Sequence, residues 1–239
     1  AFDATVASSD ILLRRDGNHL LIENTTSNDL ITVYNHFISA DHQIDRITFT
    51  DGSEWLAAQF ADHYETMDSV VDITDGTGDG NLVGGNNHDR LSGKAGNDTV
   101  SGLRGNDTLF GGEGDDNVQG GAGNDTLYGY FGVDHLDGGS GDDMLRGEQG
   151  DDVYHFDLGY GRDTIWAFDD NASKNDTVQF GTGISSENLS VRRNGNDLVL
   201  FLTNSDDRLT VQKYFEHANY RINAFHFAGG SVWQHADIL

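Results

Sequence analysis

From about residue 75 to about residue 155 the chain repeats itself every nine residues, and this period constrains the fold more than any other feature. Written from the first glycine, the units include GGNNHDRLS from Gly84, GKAGNDTVS from Gly93, GLRGNDTLF from Gly102, GGEGDDNVQ from Gly111 and GGAGNDTLY from Gly120. GYFGVDHLD from Gly129, GGSGDDMLR from Gly138 and GEQGDDVYH from Gly147 continue the series. The sixth position is Asp89, Asp98, Asp107, Asp116, Asp125, Asp134, Asp143 and Asp152 in turn. The eighth is Leu91, Val100, Leu109, Val118, Leu127, Leu136, Leu145 and Tyr154. The last three residues of a unit, such as Thr126, Leu127 and Tyr128, read as a short strand whose middle side chain points inward. Two units then make one coil of a flattened parallel β-helix.

These units resemble the glycine-aspartate nonapeptides of the RTX (repeats in toxin) proteins. The resemblance implies an all-β parallel β-roll that binds calcium. Glycine at positions one, two and four is expected to let the backbone take positive φ and turn its carbonyls inward. Calcium takes six to eight oxygen ligands, so carbonyls plus aspartates from two turns suit it. The ligands implied are the eight sixth-position aspartates with the carbonyls of Gly96, Gly105, Gly114, Gly123, Gly132, Gly141 and Gly150. Aspartates two units apart share an edge. One edge holds Asp98, Asp116, Asp134 and Asp152; the other holds Asp89, Asp107, Asp125 and Asp143, with Asp163 continuing it after a two-residue insertion. Adjacent pairs along both edges give about seven Ca2+ ions.

Stacked coils place equivalent aspartates about 4.8 Å apart, where bare carboxylates repel by roughly 1 kcal/mol per pair even in water. Each coil contributes only two interior Leu or Val side chains, about 2 kcal/mol apiece, against about 1 to 2 kcal/mol of backbone entropy per residue. The roll is therefore expected to be unfolded without calcium. The formal charge of −26, from 40 acidic against 14 basic residues, argues against nucleic acid as a partner. There is no cysteine and no proline, so neither oxidation nor proline isomerisation delays folding. The chain shows no signal peptide and no transmembrane run, and is expected to be soluble.

Some units depart from the pattern. In DGTGDGNLV, from Asp75, Gly80 stands where the aspartate belongs, which puts that site in doubt. Asn87 replaces a fourth-position glycine, and Lys94, Leu103, Tyr130 and Glu148 replace second-position glycines and are expected to face solvent. Asp75, Thr77, Asp79 and Gly80 imitate half an EF-hand loop, but Asn86 stands where the twelfth-position glutamate belongs and neither flank reads as helix.

The flanks form a second repeat. Residues 14–61 align without a gap onto 192–239, with 18 of 48 positions identical. Each copy has short apolar or alternating runs broken by Asp-Gly, Asn-Gly or Gly-Gly, a hairpin signature. The copies are similar to the calcium-toxin-related modules that follow RTX blocks and cover the open end of the roll. The expected division is 1–74, a β-rich cap-like module; 75–166, the calcium-binding β-roll; and 167–239, the C-terminal β-rich cap. The N-terminal copy is expected to have closed an earlier block of a tandem array. Trp55, Trp233, Phe37, Phe49, Phe215 and Phe227 read as cap cores, and His36, His42, His217 and His226 show no ligand spacing.

No zinc-protease, lipase-elbow or P-loop motif is present, and the acidic residues form a ladder rather than a pair in a cleft, so an enzyme is not expected. The resemblance implies a module of a larger protein exported by type I secretion from a Gram-negative bacterium to the medium or cell surface. Calcium, further domains of the same chain and the secretion machinery are the implied partners. The alternative is a recognition module of an adhesin or carbohydrate-active enzyme, with Tyr128, Tyr130, Phe131 and Trp166 contacting a glycan or surface.

Overall fold

The computed structural model describes residues 72–239 apart from 172 and 204, with side chains from residue 74, and the backbone of six strands between residues 11 and 66. The chain forms two compact units, Ala1–Ser69 with Gly85–Asn87, and Val70–Gly84 with His88–Leu239.

In the larger unit each nonapeptide contributes one strand, because its seventh to ninth residues alternate out, in, out. After β7 (Asp72–Thr74), which precedes the first unit, these strands are β8 (Asn81–Gly85), β9 (Arg90–Ala95), β10 (Thr99–Arg104), β11 (Thr108–Glu113), β12 (Asn117–Ala122), β13 (Thr126–Phe131), β14 (His135–Ser140), β15 (Met144–Gln149) and β16 (Val153–Phe156). Successive strands alternate between two parallel sheets, so the architecture is the all-β parallel roll of about five turns that the repeat implies. The register keeps the eighth positions in two columns. Leu91 pairs with Leu109, Leu127 and Leu145 in turn on one sheet, and Val100 with Val118, Leu136 and Tyr154 on the other. These side chains are all fully buried, so the roll has a thin core, one apolar residue per strand.

Beyond the repeats the columns continue with larger side chains. Strands β17 (Arg162–Ile165), β18 (Thr177–Phe180), β19 (Leu189–Asn194), β20 (Asp197–Leu202), β21 (Arg208–Val211), β22 (Ala224–His226) and β23 (Val232–Gln234) extend both sheets. One sheet becomes eight-stranded and ends at β18, β22 and β23; the other becomes nine-stranded and ends at β17, β21, β20 and β19. Ile165 and Val211 carry on the leucine column, and Val178 and Phe225 the valine column. Phe180 stacks on Phe227 at 4.9 Å, and Trp233 meets Phe227 edge-on at 4.9 Å. This aromatic cluster replaces the one-residue layer and closes the core. Trp233 and Phe215 are partly buried against it, in keeping with their expected core role.

In the smaller unit the described strands are β1 (Ile11–Asp16), β2 (His19–Asn24), β3 (Leu30–Val33), β4 (Arg46–Thr48), β5 (Glu54–Leu56) and β6 (Tyr64–Thr66). Shifted by 178 residues, the first five coincide with β19 to β23. Their pairings shift too: Ile11 faces Asn24 as Leu189 faces Leu202, and Arg46 faces Leu56 as Ala224 faces Gln234. The two flanks thus share one hairpin plan. The side chain of Trp55 and residues His36, Phe37, His42 and Phe49 lie outside what is described.

Candidate metal centre

Each sixth-position aspartate follows the turn and precedes its strand, so its side chain enters the edge of the roll between two coils. One carboxylate oxygen is used by the fold. The Oδ1 atoms of Asp107, Asp116, Asp125, Asp134, Asp143 and Asp152 each accept a hydrogen bond, 2.7 to 3.1 Å long, from the backbone N–H of the aspartate one coil earlier. Asp98 accepts likewise from Gly80 at 2.7 Å. Asp163 accepts from Asp143 at 3.1 Å, which joins it to the second edge across the two-residue insertion. The other oxygen, Oδ2, is buried without a hydrogen-bond partner in Asp98, Asp107, Asp116, Asp125, Asp134, Asp143, Asp152 and Asp163. Eight orphaned, buried carboxylate oxygens arranged in two files have the chemistry of cation ligands, because burying such an atom unpaired is costly.

Glycine shapes the space they enter. A Cβ at Gly93 would lie 2.2 Å from Asp98 Oδ2 and 2.7 Å from the carbonyl oxygen of Gly111; at Gly120 the distances are 2.3 Å to Asp125 Oδ2 and 2.5 Å to the carbonyl of Gly138. The first-position glycine is therefore required for volume. Positive φ, expected at positions one, two and four, is confined among these glycines to the second and fourth: Gly112, Gly121 and Gly139, and Gly96, Gly105, Gly114, Gly123, Gly132, Gly141 and Gly150. The carbonyls of the first-position glycines, such as Gly111 and Gly138, share the void with Oδ2 and were not singled out by the repeat pattern. In the fourth-position column a Cβ on Gly114 would fall 2.2 Å from the Gly96 carbonyl oxygen, and one on Gly132 2.0 Å from that of Gly114. Lys94, Leu103, Tyr130 and Glu148 hold φ between 70° and 83°; the first three are exposed as expected of their positions, and Glu148 is half-buried.

Among the described residues no three His, Cys, Asp or Glu side chains converge on one point. A cation held here takes backbone carbonyls as well as aspartates, the donor set of a hard, oxygen-seeking ion such as calcium. Without a cation six of these carboxyls hold their protons far above the usual range. Burial, opposed by the N–H each accepts and reinforced by neighbouring aspartates, raises Asp116 to about 6 and Asp107, Asp134 and Asp143 to about 7. Burial, with Asp176 beside Asp152 and Asp143 beside Asp163, raises Asp152 and Asp163 to about 8.

The ends of the files differ from their middles. Asp176 accepts from the Asp152 N–H at 3.1 Å and so adds a rung that the repeat pattern missed. Its signal was present, since Asn175, Asp176, Thr177 and Val178 repeat Asn97, Asp98, Thr99 and Val100, but Lys174 stands in the glycine's place. The Lys174 ammonium is buried, contacts the Ala167 carbonyl oxygen, and lies 2.5 Å from Asp176 Oδ2. The second edge ends at Asp207, whose carboxylate accepts from the N–H groups of Gly159 and Gly161 at 2.9 and 3.0 Å and from Ser205 Oγ at 2.6 Å. At the start, a Cβ on Gly80 would meet Asp75 Oδ2, so the carboxylate beside that turn comes from position one.

His217 accepts from the Asn219 N–H at 3.3 Å and caps a short turn, and His226 lies on β22; the two are not brought together at a ligand site. Tyr128 and Tyr130 stack at 5.8 Å, while Trp166 lies further along the same sheet beside Arg146 and Lys213.

Comparison with known proteins finds calcium-binding families along the same residues. The RTX calcium-binding nonapeptide repeat matches four overlapping stretches between residues 74 and 162, and the haemolysin-type calcium binding protein related domain matches residues 19–59 and 197–237. The chain is 34% identical over 83 residues to the iron-regulated protein FrpA of Neisseria meningitidis serogroup C, an alignment covering 34% of the chain and 7% of that protein. Among solved structures it is similar to the extracellular lipase LipA of Serratia marcescens, with a TM-score of 0.26 and 19% identity, over 67% of the chain and 41% of the lipase.

Proposed function

Because the chain is built on RTX calcium-binding nonapeptide repeats between two haemolysin-type calcium-binding-related segments, we propose that it is a calcium-folded module of a larger secreted protein. The observation that carries this reading is the double file of buried, unpartnered Oδ2 atoms. A roll with a one-residue core and such carboxylates lacks the stability to form until a cation neutralises them. The proposed ligands are Asp89, Asp98, Asp107, Asp116, Asp125, Asp134, Asp143, Asp152 and Asp163 with glycine carbonyls. About seven Ca2+ ions fill the adjacent pairs. Asp152 and Asp176 would make an eighth, but there the Lys174 ammonium supplies the positive charge.

Calcium is scarce in bacterial cytosol and abundant outside. Type I secretion of an unfolded chain followed by folding at the cell surface or in the medium fits this switch, with residues 167–239 as the cap. Further domains of the parent chain are the proposed partners, consistent with the short stretch of FrpA that aligns. Calcium titration from chelator, followed by circular dichroism and tryptophan fluorescence with magnesium as control, tests the reading. A cooperative gain of β signal at roughly 0.1 to 1 mM calcium, the range of extracellular calcium modules, is expected. A chain fully folded in chelator and unaltered by calcium would refute it.

A second reading, that the folded roll recognises a glycan, is favoured by the stacking of Phe110, Tyr128 and Tyr130 on the outer face of the nine-stranded sheet.

A further inference from the structure

The two outer faces of the roll carry different chemistry. On the eight-stranded sheet the outward seventh and ninth positions are Thr, Ser, Asn, Gln, Val and His with one aspartate, Asp137, and no Lys or Arg. On the nine-stranded sheet they form a chain of cations and rings. The Arg90 guanidinium lies 4.4 Å from the Phe110 ring, Phe110 stacks on Tyr128 at 5.1 Å, and Arg146 sits between Tyr128 and Trp166 at 5.4 and 5.8 Å. Lys213 is 5.2 Å from Trp166. At the far edge of this face, Arg192 and Arg208 line a groove of about 460 Å³ with Phe201, Thr164 and Thr210.

No ion pair engages these two arginines among the described residues. Arg192 lies over the Phe201 ring at 5.2 Å, while its neighbour Arg193 turns to the other face, over the Phe215 ring at 4.6 Å. The carboxylates bordering the face are already used: Asp197 accepts from the Lys213 N–H at 2.9 Å, and Glu216 lies 3.7 Å from Lys213 Nζ. In a chain of formal charge −26, arginines left unpaired together would find carboxylates easily if stability alone governed their placement. Grouped with flat rings, they suit a ligand that has both sugar faces and negative charge. Guanidinium groups pair in bidentate fashion with carboxylate or sulfate, and exposed aromatic faces stack on rings. From Tyr128 on β13 to Arg192 on β19 is five strand spacings, about 24 Å, which calls for a polymer rather than a single sugar.

We propose that the outer face of the nine-stranded sheet binds an acidic polysaccharide, its sugar rings on Tyr128 and Tyr130 and its anionic groups in the Arg192 and Arg208 groove. This rests on the recognition reading and adds the ligand class. The test uses the full chain in saturating calcium, passed over immobilised polygalacturonate, dextran sulfate and neutral dextran, and over vesicles of anionic phospholipid. Binding to the two acidic polymers and not to dextran is expected, weakening as salt rises. The double change Arg192→Gln and Arg208→Gln should weaken it at least tenfold without altering the calcium titration, and so should Tyr128→Ala with Tyr130→Ala. Equal binding to dextran would overturn the acidic ligand and keep the recognition reading. Binding to none of the polymers would overturn both, capture by vesicles alone would replace the glycan with a membrane, and acidic-polymer binding untouched by the arginine changes would place the ligand elsewhere.

Discussion

At the scale of single residues, Lys174 stands where one file of unpartnered carboxylate oxygens stops. It occupies the slot of a fourth-position glycine, and its ammonium meets a carbonyl and a carboxylate, the donor types offered to calcium in the coils below. A buried ammonium costs several kcal/mol to desolvate, and Asp176 offsets that cost while its own carboxyl, raised by burial and partly lowered by Lys174, is left at about 6. Replacing Lys174 with Met keeps the apolar stem and removes the charge, leaving Asp152 and Asp176 as an unneutralised pair like those below. Equilibrium dialysis and calorimetric titration of Lys174→Met are expected to find one more bound calcium per chain than in the parent. The Asp176→Asn change made with it should return the count to the parent value. An unaltered stoichiometry in a Lys174→Met chain that still folds in calcium would show that Lys174 holds no cation position.

At the scale of the coil, a second ladder runs beside the carboxylate one and in the opposite sense. Fifth-position side chains accept from the backbone N–H one coil later: Asn97 from Asp115 at 3.0 Å, Asn106 from Asn124 at 2.9 Å, Asp115 from Val133 at 2.8 Å and Asn124 from Asp142 at 2.9 Å. Val133 breaks it, because valine has no acceptor to offer Asp151, and its side chain is 43% exposed. Val133→Asn should restore the rung and raise stability by about 1 kcal/mol, read as a higher urea midpoint in saturating calcium with an unaltered slope. No gain would mean that water serves the Asp151 N–H equally well. The repeat made much of this architecture legible: aspartate and leucine at fixed phase implied two files and two columns, and both are found. Asp176 escaped because four residues more than the earlier insertion separate it from its predecessor and no glycine frames it. The role of the first-position glycine was misread because composition shows that a side chain is missing, while only the fold shows that a carboxylate fills the gap.

At the scale of the whole molecule, acidity and calcium act on the same groups in opposite directions. An unfolded aspartate titrates near 3.9, whereas the cation-free roll holds Asp107, Asp134 and Asp143 at about 7 and Asp152 and Asp163 at about 8, chiefly through burial. For carboxyls raised on folding, the stabilisation is fully present below the unfolded value and is lost as pH rises through the folded values. Without calcium the roll should therefore be most stable near pH 4 and lose stability progressively up to about pH 8. Calcium reverses the trend because it replaces the protons: its apparent affinity should rise over the same interval, and binding at pH 7 should release protons into a weakly buffered solution. The β signal in circular dichroism from pH 4 to pH 8, in metal-free buffer and in saturating calcium, would show the two trends with opposite sign. A metal-free roll that gains stability between pH 5 and pH 8 would mean that the aspartates are charged and tolerated in the folded state, and the neutralisation argument for the calcium switch would then fail.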